Sequence, residues 1–261
     1  METCKKDDLI IKKFPSRKEM GITAAAEAAA AIREHLKTKK QIRMIFAAAP
    51  SQNEFLEALG ADKTVDFNRI TAFHMDEYTG LPADAPQGFG NFLRTRLFGK
   101  CPFAKVHYLD SQAKDNEKEC IRYADLLNSA PIDIVCMGIG ENAHIAFNDP
   151  GVADFKDPKT VKVVPLDLVC RQQQVNDGCF KHIDEVPKYA LTLTIPALLN
   201  CKQIFCMVPA KTKTEAVYNT LAMDISEKYP STILRTHARA VMFVDEDSGA
   251  RLNEVNGLVK I

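Results

Sequence analysis

The sequence predicts an α/β fold of the Rossmann-like kind, a mainly parallel sheet covered by helices on both faces. Short apolar runs alternate along the chain with segments of helical periodicity. The best apolar runs are continuous, as is typical of parallel strands buried on both faces. The 261 residues can bury one large core, and no repeat or linker interrupts them. We therefore expect a single domain over residues 1–261, with its core at about 9–250.

A long helix is predicted near the start of the chain, over residues 18–38. It contains the helix-favouring run 24–31. Its apolar residues recur at helical spacing and comprise Ile22, Ala25, Ala29, Ile32 and Leu36. The alanine-rich face predicts close packing against the sheet.

A buried strand is predicted over residues 42–49, where an apolar run ends at Pro50. Ser51 can cap the helix that follows, to about Leu59, with Glu54 at capping-box spacing. The same reasoning predicts strands at 70–75, 106–109, 132–137, 160–164, 189–195, 203–208 and 239–244, and helices at 91–98, 117–127 and 213–221.

Composition excludes several classes of function. The formal net charge is zero, so we expect no general attraction to nucleic acid or to an anionic membrane. No apolar run approaches the roughly 20 residues that span a bilayer. Residues 1–13 lack the apolar region of a signal peptide, which predicts a cytoplasmic protein. The eight cysteines are scattered without CxxC spacing, and we expect reduced thiols rather than a zinc or redox motif.

Polar residues follow several predicted strands, which places them at the sheet edge where open α/β folds bind ligands. The first cluster is the segment 74–78, where a carboxylate such as Asp76 can act as a general base. The alternative is structural, with Asp76 or Glu77 ordering the loop that follows.

The second cluster, residues 138–150, begins with Gly138 and Gly140 directly after a buried strand. Glycines there let the backbone approach a ligand closely. His144 is flanked by Asn142 and Asp149, and a carboxylate near an imidazole fixes its tautomer and raises its basicity. A structural histidine is the alternative. The GxG pattern lacks the third glycine of a dinucleotide-binding loop, so it gives little support for a nucleotide cofactor.

Two further segments have the character of phosphate contacts. The turn 50–53 opens a helix, and helix N-termini with short polar side chains suit anions. Lys213, after the strand 203–208, can meet a phosphate as a point charge. A plain helix cap and a solvated helix start are the structural alternatives.

The first two clusters resemble the characteristic segments of the glucosamine-6-phosphate deaminase/isomerase family. These are Met-Asp-Glu-Tyr-x-Gly-Leu, standing here at 75–81, and G-x-G-x-[DN]-G-H-[IL]-[AG]-F-N-E-P, standing here at 138–150. They occur in the family's order and at about its separation. Matches at 186–192, at Lys213 and at 233–246 extend the resemblance over nearly the whole chain.

The resemblance implies conversion of an amino sugar 6-phosphate and water into a ketose 6-phosphate and ammonia, without a metal or organic cofactor. Asp76 would move a proton between C2 and C1, and His144 would assist ring opening, oriented by Asp149 and Asn142. The substrate and phosphate contacts that we predict are Ser51, Gln52, Asn53, Glu77, Gly140, Arg171 and Lys213.

The chain departs from the family pattern at several positions. The phosphate turn, usually Pro-Thr-Gly-[Ser/Gly]-Thr, reads Pro-Ser-Gln-Asn-Glu at 50–54. Ala143 replaces the glycine before the histidine, and Asp149 replaces a glutamate. Residues 171–180 do not align with the family's phosphate-binding arginine region, and Arg171 is the candidate to substitute for that arginine.

Three alternatives stay open at this point. Galactosamine 6-phosphate, the C4 epimer, could be the substrate. 6-Phosphogluconolactonase has a related fold and histidine loop but should lack the Met-Asp-Glu-Tyr segment. A non-catalytic sugar-phosphate sensor would usually carry a DNA-binding helix-turn-helix, for which this chain has no room. The predicted partner is thus a small amino sugar phosphate, and the sequence leaves monomer and homo-oligomer open.

Overall fold

The computed structural model describes residues 1–176 and 178–261. Within these ranges the strands are β1 Glu2–Lys6, β2 Leu9–Lys13, β3 Ile42–Phe46, β4 Ile70–His74, β5 Asp76–Tyr78, β6 Lys105–His107, β7 Ile132–Met137, β8 Val161–Pro165, β9 Tyr189–Leu193, β10 Cys201–Val208, β11 Ala240–Val244 and β12 Val259–Lys260. The α-helices are α1 Arg17–Thr38, α2 Asn53–Ala61, α3 Phe89–Leu93, α4 Asn116–Asn128, α5 Leu168–Asn176, α6 Ile195–Leu199 and α7 Thr214–Ala222.

The main sheet has the strand order β12-β1-β2-β11-β10-β7-β3-β4-β6. Every neighbouring pair from β2 to β6 is parallel, and the antiparallel pairs lie at the β1 and β12 edge. Alternate residues of β3 pack into cores on opposite faces, with Met44 and Phe46 on one side and Ile45 on the other. The predicted mainly parallel α/β fold is confirmed.

Two predicted strands, 160–164 and 189–195, lie outside the main sheet. They form β8 and β9, which pair antiparallel with each other and with β5 in a small second sheet. The chain leaves the main sheet at Met75, whose carbonyl accepts a hydrogen bond from the Leu193 amide at 2.8 Å. Apolar runs indicate burial but not the sheet that buries them, so the sequence did not separate the two sheets.

Helix α1 is confirmed, although its buried face differs from the predicted one. Ala25, Ala29, Ile32 and Leu36 are buried as expected, but Ile22 is 49% exposed. The buried stripe instead includes Met20, Gly21, Ala24 and Ala28. The small residues bring α1 close to its neighbours, as the alanine-rich composition predicted.

The predicted cap of α2 by Ser51 is wrong. A 3-10 turn over Pro50–Gln52 precedes α2, which begins at Asn53 without a side-chain cap. Glu54 does not form a capping box, because Arg17 binds its carboxylate through Nε at 2.7 Å and Nη2 at 2.9 Å. This ion pair joins the start of α1 to the start of α2.

Helices α1 and α2 touch at Gly21. A Cβ atom added there would lie 2.6 Å from the Cβ of Glu54 and 3.0 Å from the Phe55 amide nitrogen. Only glycine therefore allows the two backbones to approach this closely. None of the helices in the described ranges combines the length and apolarity needed to cross a bilayer.

Replacing Gly21 with alanine should lower the free energy of unfolding by about 1–2 kcal/mol. The clash costs about 1–3 kcal/mol as overpacking, which exceeds the gain of about 0.5–1 kcal/mol from helix propensity. Urea denaturation measures the difference. Ile22→Ala on the exposed side of the same turn should change stability by no more than about 0.5 kcal/mol. A stabilised Gly21→Ala protein would contradict the tight contact.

Candidate active site

A cleft opens at the carboxyl edge of the parallel sheet. Segments that follow four strands line it, at 47–52 after β3, 75–76 after β4, 138–140 after β7 and 209–213 after β10. Parallel strands end on the same side, so residues distant in sequence meet there. The predicted convergence of Ser51, Asp76, His144 and Lys213 is confirmed, since all four line this cleft.

Asp76 lies where the chain passes from β4 to the small sheet. Its backbone pairs with Thr192 of β9, and its side chain is 7% exposed at the cleft. Burial raises the pKa of Asp76 well above its ordinary value, and the neighbouring Glu77 carboxylate raises it further. A carboxylate that holds its proton more tightly is a stronger base, which suits abstraction of a proton from carbon.

Glu77 serves a different purpose from Asp76. Its carboxylate is buried and accepts hydrogen bonds from the amides of Tyr78 and Phe89 at 3.0 Å and of Gly90 at 2.8 Å. It does not line the cleft. The predicted substrate contact by Glu77 is therefore not seen, and the alternative, that it orders the following loop, describes its position.

His144 and Asp149 are in direct contact. The imidazole Nδ1 lies 2.8 Å from Asp149 Oδ1 and 2.8 Å from Asn142 Oδ1. Both neighbours are acceptors, so Nδ1 carries the hydrogen and Nε2 is left for a ligand. Asn142 also donates to Asp149 Oδ1 at 2.9 Å, which ties the three side chains together.

The ionised form of Asp149 is favoured despite its burial. Burial alone would raise its pKa, but the charge of His144 and hydrogen bonds from His144 and Asn142 outweigh this, and the pKa is lowered. The carboxylate thus fixes the tautomer of His144, as the sequence predicted.

The histidine loop depends on special backbone positions. A Cβ on Gly140 would lie 2.1 Å from Cε1 of the His144 ring, so only glycine lets the ring rest against this backbone. Ala143 adopts a φ of 67°, in the left-handed region that favours glycine. This strain accounts for glycine at that position in the family pattern.

Donors that can bind an anion line one end of the cleft. Ser51 lines it, and Gln52 donates to Ser51 Oγ at 3.1 Å and to the Met207 carbonyl at 3.2 Å, which joins the turn to β10. Lys213 brings a positive charge, with its side chain only 6% exposed. A serine hydroxyl and a lysine ammonium can both donate to a phosphate.

Arg17 also lines this end of the cleft, which the sequence did not reveal. Its Nη2 donates to the Pro50 carbonyl at 2.9 Å, and its Nε and Nη2 also donate to the Glu54 carboxylate. Within the described residues Nη1 makes no hydrogen bond. No sequence signal marked Arg17, because it follows no predicted strand.

Helix α5 covers the cleft and was not predicted. Gln173 and Gln174 line the cleft, and Gln173 Oε1 accepts the Glu141 amide at 2.9 Å. Mixed polar composition gave this helix no apolar periodicity. Its three consecutive glutamines, Gln172–Gln174, were the one available signal.

Two predicted contacts lie elsewhere. Asn53 accepts a hydrogen bond from Arg96 Nε at 2.6 Å and does not line the cleft. Arg171 is buried and donates through Nη2 to the carbonyls of Ile183 and Val186, at 2.6 and 3.1 Å. Its guanidinium thus binds the loop before β9, and Arg171 does not line the cleft.

Residues 15–243 match the family model described as glucosamine-6-phosphate isomerases/6-phosphogluconolactonase. The chain belongs to this family. Glucosamine-6-phosphate deaminases of Bacillus cereus and Bacillus thuringiensis are each 31% identical to it over 217 residues, which is 83% of this chain and 80% of the relative.

Solved structures show the same relationship. A monomeric glucosamine-6-phosphate deaminase superposes with a TM-score of 0.84 at 30% identity, covering 92% of this chain and 98% of that one. 6-Phosphogluconolactonase from Thermotoga maritima gives a TM-score of 0.73 at 20% identity, covering 91% and 99%. The second likeness shows the common fold alone.

Asp76, which lines the cleft, and Asp149, which lies against His144, should respond oppositely to removal of their charge. Because the folded-state pKa of Asp76 is raised, its ionisation destabilises the fold as pH rises above about 3.9, the ordinary aspartate value. Asp76→Asn should therefore be more stable than the unmodified protein near neutral pH, and the advantage should shrink as pH falls towards that value.

Asp149→Asn is the matched variant, for which we expect a change in stability of the opposite sign. The folded-state pKa of Asp149 is lowered, so its charge stabilises the fold above the ordinary value and loses this effect as pH falls through the folded pKa. Asp149→Asn should be destabilised at neutral pH. Thermal unfolding across pH measures both, and equal shifts of the same sign would refute the contrast between the carboxylates.

Proposed function

We propose that this protein is a glucosamine-6-phosphate deaminase, converting glucosamine 6-phosphate and water into fructose 6-phosphate and ammonia. The observation that carries the proposal is the shared cleft. The buried Asp76 carboxylate and the oriented His144 imidazole line the same cleft as Arg17 and Lys213. The positive charges of the arginine and the lysine suit a phosphate. The family membership and the 31% identical deaminases support the same reaction.

Ring opening falls to His144. With its hydrogen on Nδ1 held by Asp149 and Asn142, Nε2 can take the proton of the C1 hydroxyl and return it to the ring oxygen. Asp149 stabilises the imidazolium that forms in between. The product is an open-chain aldehyde with the amino group still on C2.

Asp76 then shifts the double bond. Its carboxylate takes the proton from C2 while O1 gains a proton from water, which gives an enolamine, and the carboxylic acid then returns its proton to C1, which leaves an iminium at C2. Water adds to that carbon, and ammonia departs to give the ketose. The buried setting that raises the Asp76 pKa makes the carboxylate basic enough for a carbon acid.

The phosphate is held at the opposite end of the cleft. Ser51, Lys213 and Arg17 supply donors there, and Arg17 takes the place that the sequence assigned to Arg171. Binding energy from this remote group keeps the small sugar in register over Asp76 and His144.

A lactonase reaction is the second candidate, because the family includes 6-phosphogluconolactonases. Hydrolysis of a lactone needs a base for water but no proton transfer at carbon. Asp76, which lines the cleft at the start of β5, has a role only in the deaminase reaction.

The C4 epimer, galactosamine 6-phosphate, is a second possible substrate. No cleft residue is assigned to O4, so an assay of both sugars distinguishes them.

The remaining assignments belong to the same proposal. The partner is a small sugar phosphate, and we place the reaction in the cytoplasm, where such substrates are metabolised. The solved deaminase at 30% identity is described as monomeric, and we expect this chain to act from one cleft per chain in either oligomeric state.

The reaction is tested by incubating the purified protein with glucosamine 6-phosphate and measuring ammonia and fructose 6-phosphate. Asp76→Asn keeps the shape of the side chain but cannot accept the C2 proton. Its kcat should fall at least about a hundredfold, the usual contribution of a general base.

Galactosamine 6-phosphate and 6-phosphogluconolactone are assayed in parallel with glucosamine 6-phosphate. Equal stoichiometric release of ammonia and ketose from glucosamine 6-phosphate supports the proposal. Faster hydrolysis of the lactone, or an Asp76→Asn protein with near-normal deamination, would overturn it.

Arg17→Ala should raise the KM for the 6-phosphate about tenfold or more, because a charge-assisted hydrogen bond contributes about 1.5–3 kcal/mol. The change also leaves Glu54 without its cation near the anion site. Lys213→Ala should raise KM in the same direction. Both effects are read from initial rates over a range of substrate concentrations.

The double variant Arg17→Ala/Glu54→Ala separates loss of the Arg17 hydrogen bond from repulsion of the phosphate by Glu54. It should recover part of the lost affinity if the uncovered Glu54 repels phosphate, whereas Glu54→Ala alone should not raise KM. Arg17→Ala with an unchanged KM would exclude Arg17 from the phosphate site.

A further inference from the structure

Three side chains with metal-binding atoms meet behind the cleft. An imidazole nitrogen of His144, a carboxylate oxygen of Asp149 and the Cys170 Sγ all lie within 4.8 Å of one another. All three residues are buried, with 8%, 0% and 0% exposure respectively. Two come from the loop after β7, and the third comes from α5.

Cys170 has no part in the proposed reaction. It lies in the first turn of α5, where its amide donates to Asp167 Oδ1 at 2.6 Å. This places the thiol against the carboxylate that orients His144. The sequence did not predict that these three residues meet, because they lie up to 26 positions apart and share no metal-ligand motif.

The donor set is that of a zinc-type ion. Zinc takes nitrogen, oxygen and thiolate sulfur at about 2.0–2.3 Å, which separates ligand atoms in a tetrahedral site by roughly 3.3–3.8 Å. Atoms already within 4.8 Å need only small side-chain movements to reach this geometry. A carboxylate and a thiolate together neutralise the two charges of the ion.

The Asp149 carboxylate has unused capacity for such an ion. Its Oδ1 is engaged by His144 and Asn142, and the Cys170 thiol is a further side-chain hydrogen-bond partner of the carboxylate. The buried Oδ2 accepts no N–H or O–H hydrogen bond among the described residues. Buried polar atoms are usually satisfied by strong donors, so a carboxylate oxygen that has only a weak thiol donor beside it can still accept a cation.

We propose that His144, Asp149 and Cys170 form a site for a zinc-type divalent cation, and that its occupation switches the enzyme off. His144 lines the cleft, so an ion can enter from there and keep a fourth position for water or Asn142. The bound ion takes the imidazole and carboxylate away from proton transfer. This inhibition rests on the proposed function, while binding of the ion does not.

Cobalt(II) tests the site without reference to activity. Titration of the metal-free protein should produce a near-ultraviolet thiolate-to-cobalt charge-transfer band and visible bands of tetrahedral cobalt, saturating at one equivalent. Zinc should displace the cobalt and abolish the spectrum. Absence of the charge-transfer band in the unmodified protein overturns the proposal, whatever the behaviour of any variant.

Cys170→Ser should remove the charge-transfer band, and Cys179→Ser, at a half-buried thiol of the following loop, is the control that should retain it. A band that persists in Cys170→Ser, or disappears in Cys179→Ser, assigns the ion to another thiol and overturns the proposal. If Cys170→Ser fails to fold, Cys170→Ala takes its place.

Inhibition is measured separately, as the zinc concentration that halves deamination. Loss of Cys170 should raise that concentration at least about a hundredfold, because losing even an outer-shell partner costs a metal site 10–100-fold in affinity. Stoichiometric cobalt binding without deaminase activity would refute the proposed function alone. Tight cobalt binding that leaves an active enzyme uninhibited would overturn the inhibitory role.

Discussion

Strand β9 forms hydrogen bonds with both of the segments that carry the signature side chains, the chain around Asp76 and the histidine loop. The Leu193 amide binds the Met75 carbonyl at 2.8 Å and fixes the point at which Asp76 enters the cleft. Thr192 Oγ1 accepts the Phe147 amide at 3.1 Å, and Asn148 donates to the Leu193 carbonyl at 2.8 Å. One short strand therefore fixes Asp76 and the histidine loop relative to each other.

Two aspartates near the cleft have pKa values shifted in opposite directions. Asp76 has a raised pKa because it is buried and lies beside the Glu77 carboxylate. Asp149 is more deeply buried, yet His144 and Asn142 keep it ionised. Pairs of titratable groups whose environments push their pKa values apart are typical of acid/base sites. In the reaction that we propose, this contrast separates proton transfer at carbon, by Asp76, from orientation of the imidazole, by Asp149.

Several functional residues could be predicted because they follow apolar strands. Asp76, His144 and Lys213 each come just after such a run, and parallel topology brings strand ends to one edge. Arg17 could not be found this way, since it opens a helix and reaches the cleft through the α1–α2 contact at Gly21. Arg171 lies outside the cleft, which the sequence could not show, because charge alone does not show that a guanidinium donates to backbone carbonyls of a neighbouring loop.

The sequence by itself determined the fold class, the parallel sheet and the two signature segments, because burial on both faces imposes continuous apolar strands and the active loops are contiguous in sequence. Only the tertiary structure decided that β8 and β9 leave the main sheet, that Glu77 binds backbone amides and that Cys170 lies beside Asp149. These features depend on contacts between distant segments, whose partners are set by packing geometry and carry no local pattern.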